Sequence, residues 1–314
     1  MGRGTARAIL AAAVVAALSV ILAAADPPRV VFGVGVLRRD GVIIPFGAFD
    51  GKRWSNGWPV PEDDLTVPIG VHDVPSRWWG PTKALDSWQV WTSPDPQMLR
   101  ITQLDWIDSH CVRQIGLRSD FRAPTAAPPP IEQPYPKEGL AVSPPQPIER
   151  ITIVPPTSDE ARLLGPALLD AFNKAERIVA AAHGHPVSRP AREGRMPEIE
   201  AVYAAGEHPR TYYVEASRAY RQLGQRADEC AATAFGTGWF SREGDVVHAL
   251  ETSVDLLGCD RAQASYMLPL GAIRIADRFF WFAQFSGWRH ERYVVIEIKP
   301  KTVEAALSVW GGSC

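Results

Sequence analysis

Two short stretches of the chain hold the residue types that acid–base chemistry needs. Asp105, Asp108 and His110 place two carboxylates and an imidazole within six residues, enough for a general acid–base set or part of a metal site. Arg289-His290-Glu291-Arg292 places an imidazole and a carboxylate between two guanidinium groups. Each stretch also has a plainer reading. Asp and His are favoured in turns, and Cys111 directly follows His110, as in a turn pinned by a disulfide. A third group, His183 and His185, stands beside an expected helix end. A metal there would need a further ligand such as Glu207 or His208, and no spacing fixes one. Neither a metal nor a cofactor is expected.

Tryptophan is the strongest compositional anomaly. Seven of the 11 fall between Trp54 and Trp106. Trp78, Trp79, Trp88 and Trp91 lie in or beside Gly/Pro-rich loops rather than in continuous apolar runs, with Trp54 and Trp58 upstream of them. Exposed indoles stack on the apolar faces of sugars, so these six are candidate ligand-binding residues for a glycan. The competing reading is a small β-rich unit filling its core with large rings.

The elements that must position these residues are mostly strands. Val30–Leu37 and Val42–Phe49 are apolar runs around Arg38-Arg39-Asp40-Gly41, a hairpin signal. Trp88–Thr92, Leu99–Ile107 and Val112–Leu117 are further short strands, the last two joined by Asp108-Ser109-His110-Cys111. Ala123–Pro156 has 11 prolines in 34 residues and reads as an extended connector. Thr157-Ser-Asp-Glu160 matches a capping box. Leu164, Leu168, Phe172, Ala175 and Val179 then form one apolar stripe, ending at His183-Gly184. Pro166 suits a first helical turn and delays the expected start to that position.

Strands return at Tyr212–Tyr220, Ala231–Phe240, Val246–Leu257, Ala264–Ala276, Arg278–Ser286 and Tyr293–Ile298, an antiparallel meander. Phe279, Trp281, Ala283 and Phe285 share one face of a strand, with Phe280, Phe282 and Gln284 on the other. Such a strand is buried on both sides, which leaves His290 and Glu291 in the loop beyond it.

The expected fold class is therefore mainly β (α+β). Residues 26–122 form an N-terminal β-rich unit, 123–156 a Pro-rich linker, and 157–314 a C-terminal β-meander domain with one packed helix at its start.

Met1–Arg7 carries two arginines, Ala8–Ala25 is apolar apart from Ser19, and the run ends in Ala23-Ala24-Ala25. That is the pattern of a secretory signal at residues 1–25, cleaved after Ala25. The alternative is an uncleaved anchor in the inner membrane formed by residues 8–25. A periplasmic or extracellular location follows from the first reading. It turns the four cysteines into a disulfide framework. Cys230 and Cys259 lie in one β-rich stretch and are the expected pair, leaving Cys111 with Cys314 by elimination.

Loss of Arg3 and Arg7 takes the net charge from −2 to −4, which argues against a nucleic-acid partner. The Ala-, Arg- and Pro-rich composition suits a GC-rich bacterial genome. No G-x-S-x-G elbow, H-E-x-x-H, P-loop or EF-hand occurs. The expectation is an exported binding or structural module whose partner is a glycan or another envelope component. The alternative is a secreted hydrolase of cell-wall or polysaccharide material, drawing its acid–base pair from Asp105, Asp108 or Glu291.

Overall fold

A computed structural model describes residues 30–59, 70–91, 95–122, 128–130, 135–222, 224, 226, 229–287 and 290–314. The expected signal segment lies outside these residues.

Closure organises the first sheet. Strands β1 (Phe32–Arg38), β2 (Val42–Phe49), β4 (Ser87–Trp91), β5 (Pro96–Ser109), β6 (Val112–Ser119) and β7 (Lys137–Ser143) pair in the order β1-β7-β4-β5-β6-β2. β2 then pairs back to β1, so the six antiparallel strands form a closed ring. A short β3 (Trp54–Ser55) adds to the end of β2. Closure removes the open edges on which a sheet can aggregate. The β1–β2 turn uses Gly41 at φ 82°, a conformation that costs glycine little.

The inside of the ring holds Leu37, Ile43, Trp88, Val90, Leu104 and Leu117. Trp88 lies against Gly33 within that core. Trp58, Trp78 and Trp79 join the same core, with Trp58 packed against both of the others.

The meander expected near the C-terminus consists of β13 (Tyr266–Ile275), β14 (Arg278–Gly287), β15 (His290–Ile298) and β16 (Val303–Ser313), paired in chain order. A five-stranded sheet of β8 (Thr152–Ile153), β9 (Glu198–Ala205), β10 (Arg210–Tyr220), β11 (Ala232–Glu243) and β12 (Val246–Leu257) runs β12-β11-β10-β9-β8. Helix α1 (Asp159–His183) covers one face of that sheet through Leu164, Leu168, Phe172 and Ala175. A single turn, α2 (Arg189–Arg192), follows.

The meander is the middle layer. Phe280 and Phe282 pack with Phe46, Phe49 and Val34 on the outside of the barrel. Phe279, Trp281 and Ala283 pack with Tyr213 and Trp239 of the five-stranded sheet. β14 is therefore buried on both faces, as the apolar residues on both of them predict.

Several expectations need correction. The chain does not divide at a linker over 123–156, because Val31–Cys314 forms one compact body. Lys137–Ser143, within that segment, is barrel strand β7. Its seven residues contain no proline, so every amide in it can donate to a ladder. Glu149 continues the contact by bridging to Ala272 of β13.

The helix cap is Ser158, whose Oγ accepts from the Ala161 amide at 3.2 Å, not Thr157. Pro166 lies inside the helix rather than at its start, and both it and Arg162, whose carbonyl loses its helical donor there, are exposed residues. His290 and Glu291 belong to strand β15, not to a loop, because both continue the ladder with β14 and β16.

Candidate functional site

The tryptophans do not form an exposed stacking platform. Trp54, Trp58, Trp78, Trp79 and Trp88 are all buried. Trp54 makes edge-on contacts with Phe32, Phe280 and Phe282 in the layer between barrel and meander. The Trp58 indole donates to the Ile115 carbonyl at 2.9 Å. Trp91 is half-buried against the same layer.

The acid–base candidates separate into two sets. Asp105 sits on the barrel surface, paired with Arg118 at 3.0 Å across β5 and β6. Asp108 is exposed near the tip of that hairpin. His110 and Glu291, 181 residues apart in sequence, come together with Nδ1 and Oε2 at 3.9 Å, both buried.

The disulfide from Cys111 to Cys314 joins them, with a Cα separation of 5.2 Å. It draws the β5–β6 turn onto the end of β16, where Gly312 pairs with Glu291. His110 and Cys111 both hold positive φ, 50° and 58°, an uncommon state for residues with a Cβ. The turn is bent to meet this junction.

Glu291 is met from three sides. The Tyr293 hydroxyl donates at 2.6 Å, Lys137 Nζ lies 3.3 and 3.4 Å from the two carboxylate oxygens, and Gln284 Nε2 donates at 3.3 Å. Lys137 Nζ also donates to the Tyr135 carbonyl at 2.7 Å. Burial pulls the Lys137 amine below its ordinary pKa, against the opposing pull of Glu291. Burial also lowers His110. It raises Tyr293 well above the usual phenol value, reinforced by the neighbouring carboxylate.

This set has the composition of a hydrolytic centre, yet it is walled in. The side chains of His110, Lys137 and Glu291 are at most 1% exposed, and Gly311 of β16 closes against the Glu291 side chain. A cavity of about 250 Å³ at the seam of β7 and β13 includes Lys137 in its wall. With the Lys137 side chain buried, the residue meets that cavity through its backbone.

A second polar cluster, not foreseen from the sequence, lies beneath α1. Glu176 accepts from Arg218 Nη1 at 2.7 Å and from the Tyr220 hydroxyl. Arg218 Nη2 donates to Asn173 at 2.9 Å, and its guanidinium lies over the Phe172 ring. His185 Nδ1 accepts from the Val187 amide at 3.0 Å. Its proton therefore sits on Nε2, which donates to Glu176 at 3.3 Å. Burial pushes the Tyr220 phenol up to about 12, with Glu176 adding to the rise.

Arg218 and Tyr220 stand two apart on one strand face, while Asn173 and Glu176 stand three apart on one helix face. Polar residues at such inward-facing positions were the available signal for this cluster. Above it opens a groove of about 960 Å³ between α1 and residues 189–196.

His185 is thus bound to Glu176, and His183 is exposed at the C-terminal end of α1. Glu207 and His208 line a hollow with Asp159, at the other end of the helix. A 25-residue helix spans roughly 37 Å, so these four residues cannot share an ion.

Both disulfides are present as expected, the second joining Cys230 and Cys259, and they point to an oxidising, non-cytoplasmic compartment. Among the described residues no helix is long and apolar enough to cross a membrane. Compared with protein-family models, curated proteins and solved structures, the chain matches none.

Proposed function

We propose that this chain is an exported binding module of the cell envelope, periplasmic or extracellular, that retains a glycan or other envelope component without transforming it. The enclosure of the Glu291 cluster carries this reading. A general acid or base must come within hydrogen-bond reach of the substrate proton it transfers, and here protein surrounds every candidate that the fold brings together. The remaining candidates lie outside that enclosure: Asp105 is tied to Arg118 at 3.0 Å, and Asp108 and His290 are exposed. The disulfides, one fastening the extreme C-terminus, suit a module that persists outside the cytoplasm.

The test is to incubate the mature protein with fluorescently labelled wall polymer and measure both retention and soluble product. Retention without product is expected for the wild type and for E291Q. Product release by the wild type that is lost in E291Q would overturn the proposal in favour of a hydrolase.

A further inference from the structure

The groove over the Glu176 cluster reverses the electrostatic character of the molecule. The chain as a whole is slightly acidic, at −2, but this groove is lined by Arg177, Arg189, Arg192, Arg195 and Arg218. Two of the five are matched by carboxylates: Arg218 by Glu176, and Arg189 by Glu193 at 3.6 Å. Arg177 makes one bond, from Nε to its own helix at the Asn173 carbonyl. Arg192 and Arg195 have no carboxylate partner among the described residues. Against these three guanidinium groups stands one acid on the groove wall, Asp170.

The floor is built rather than incidental. Arg218 is buried, held by Glu176 and Asn173, and its Nε finds no acceptor among the described residues. Arg192 Nε is likewise buried without an acceptor. Each nitrogen lies beneath the groove surface, and the donors open to a ligand are those of the exposed Arg177 and Arg195 side chains.

We propose that this groove is a binding site for an acidic glycan chain, held through its carboxylate or phosphate groups. The inference rests on reading the chain as an envelope-binding module and names the ligand class. A guanidinium presents paired N–H donors in a plane that matches a carboxylate or phosphate. The arginines line an open groove between α1 and residues 189–196, with room for a linear chain. Ala180, Ala181 and Met196 supply apolar wall between the charges, suited to the nonpolar faces of sugar rings. Glu176 does not oppose such a ligand, because Arg218, Tyr220 and His185 already meet its charge.

The test uses the mature protein with a fluorescent oligogalacturonide, a neutral oligosaccharide of equal length, inorganic tripolyphosphate, and vesicles of phosphatidylcholine with phosphatidylglycerol. Binding of the oligogalacturonide is expected, weakening with salt. R177E/R195E changes two exposed side chains outside the buried network and should weaken binding by about tenfold or more. K52E/K301E, an equal charge change at distant exposed positions, should leave it unaltered. The proposal is overturned by equal binding of the neutral oligosaccharide, by binding of vesicles or tripolyphosphate alone, or by an R177E/R195E affinity equal to wild type. Shortening of the oligogalacturonide would count against the non-catalytic reading and leave the groove assignment standing.

Discussion

The barrel–meander seam and the helix–sheet layer solve one problem with nearly the same parts. Each buries a glutamate, gives it a cation and a tyrosine, and brings a histidine beside it. At the seam these are Glu291, Lys137, Tyr293 and His110. Under the helix they are Glu176, Arg218, Tyr220 and His185. The first set is sealed by the disulfide-fastened end of β16, and the second forms the floor of an open groove.

The cations differ as the settings do. Lys137 is a point charge that burial can strip of its proton, whereas an arginine guanidinium stays charged and holds several partners in fixed directions. A sealed site needs only neutrality. A groove floor needs orientation, which Arg218 obtains by joining Asn173 and Glu176. The parallel teaches that acid–base composition does not separate a structural ion pair from a working site. Access separates them.

Removing each cation tests this most severely. K137M and R218M each leave a buried carboxylate unpaired, and each should cost about 4 kcal/mol at pH 8 in denaturant unfolding. R218M should also disturb the groove, while K137M should leave ligand retention intact. Equal loss of retention in both variants would break the distinction between sealed and open clusters.

A third buried glutamate sharpens the comparison because it has no cation partner among the described residues. Glu215 of β10 accepts from the Met267 amide at 2.9 Å, beside Tyr203, Tyr213 and Glu200. Burial lifts its pKa to about 7, the Met267 bond opposing and Glu200 adding to the rise. Its folded pKa exceeds the unfolded value of 4.5. Stability is therefore fully present below about pH 4.5 and is lost as pH rises through 7. The span corresponds to roughly 3 kcal/mol as an upper bound. E215Q should abolish that slope and be more stable than wild type at pH 8, as read from urea midpoints at pH 5 and pH 8. Parallel pH profiles for the two proteins would sink the assignment.

The legible parts of this fold were those set by local pattern. The β1–β2 hairpin, the helix stripe, the apolar run of β14 and the Cys230–Cys259 pair could be read from local sequence, and Cys111–Cys314 then follows by elimination. The illegible parts depend on distant chain. Strand β7 is hidden because its proline-rich flanks outweigh seven residues whose partners, β1 and β4, lie elsewhere. Strand β16 (VEAALSVWGGS) contains residues that suit a helix, and β15 and the Cys111 bridge give it its edge. His110 and Glu291 were both suspected, but their meeting depends on a disulfide spanning 203 residues. Lys137 carried no signal, since nothing in a proline-rich stretch marks one lysine as buried. Arg218 and Glu176 look like surface charges until helix and sheet are stacked.

The histidines offer the smallest and most discriminating change. His185 has both ring nitrogens engaged, one accepting from Val187 and the other donating to Glu176. H185F would leave a buried carboxylate short of a donor and an amide short of an acceptor, a loss of about 2 kcal/mol. His110 is as deeply buried, yet neither of its nitrogens has a hydrogen-bond partner among the described residues. Its approach to Glu291, at 3.9 Å, is too long for a hydrogen bond. H110F removes two unmet polar atoms and keeps the ring's volume. The cost of positive φ falls on any side chain with a Cβ, so it changes little. H110F should therefore lie within about 1 kcal/mol of wild type. A loss matching that of H185F would show that His110 bonds to Glu291 in solution, and the seam would then be a connected network like its counterpart under the helix.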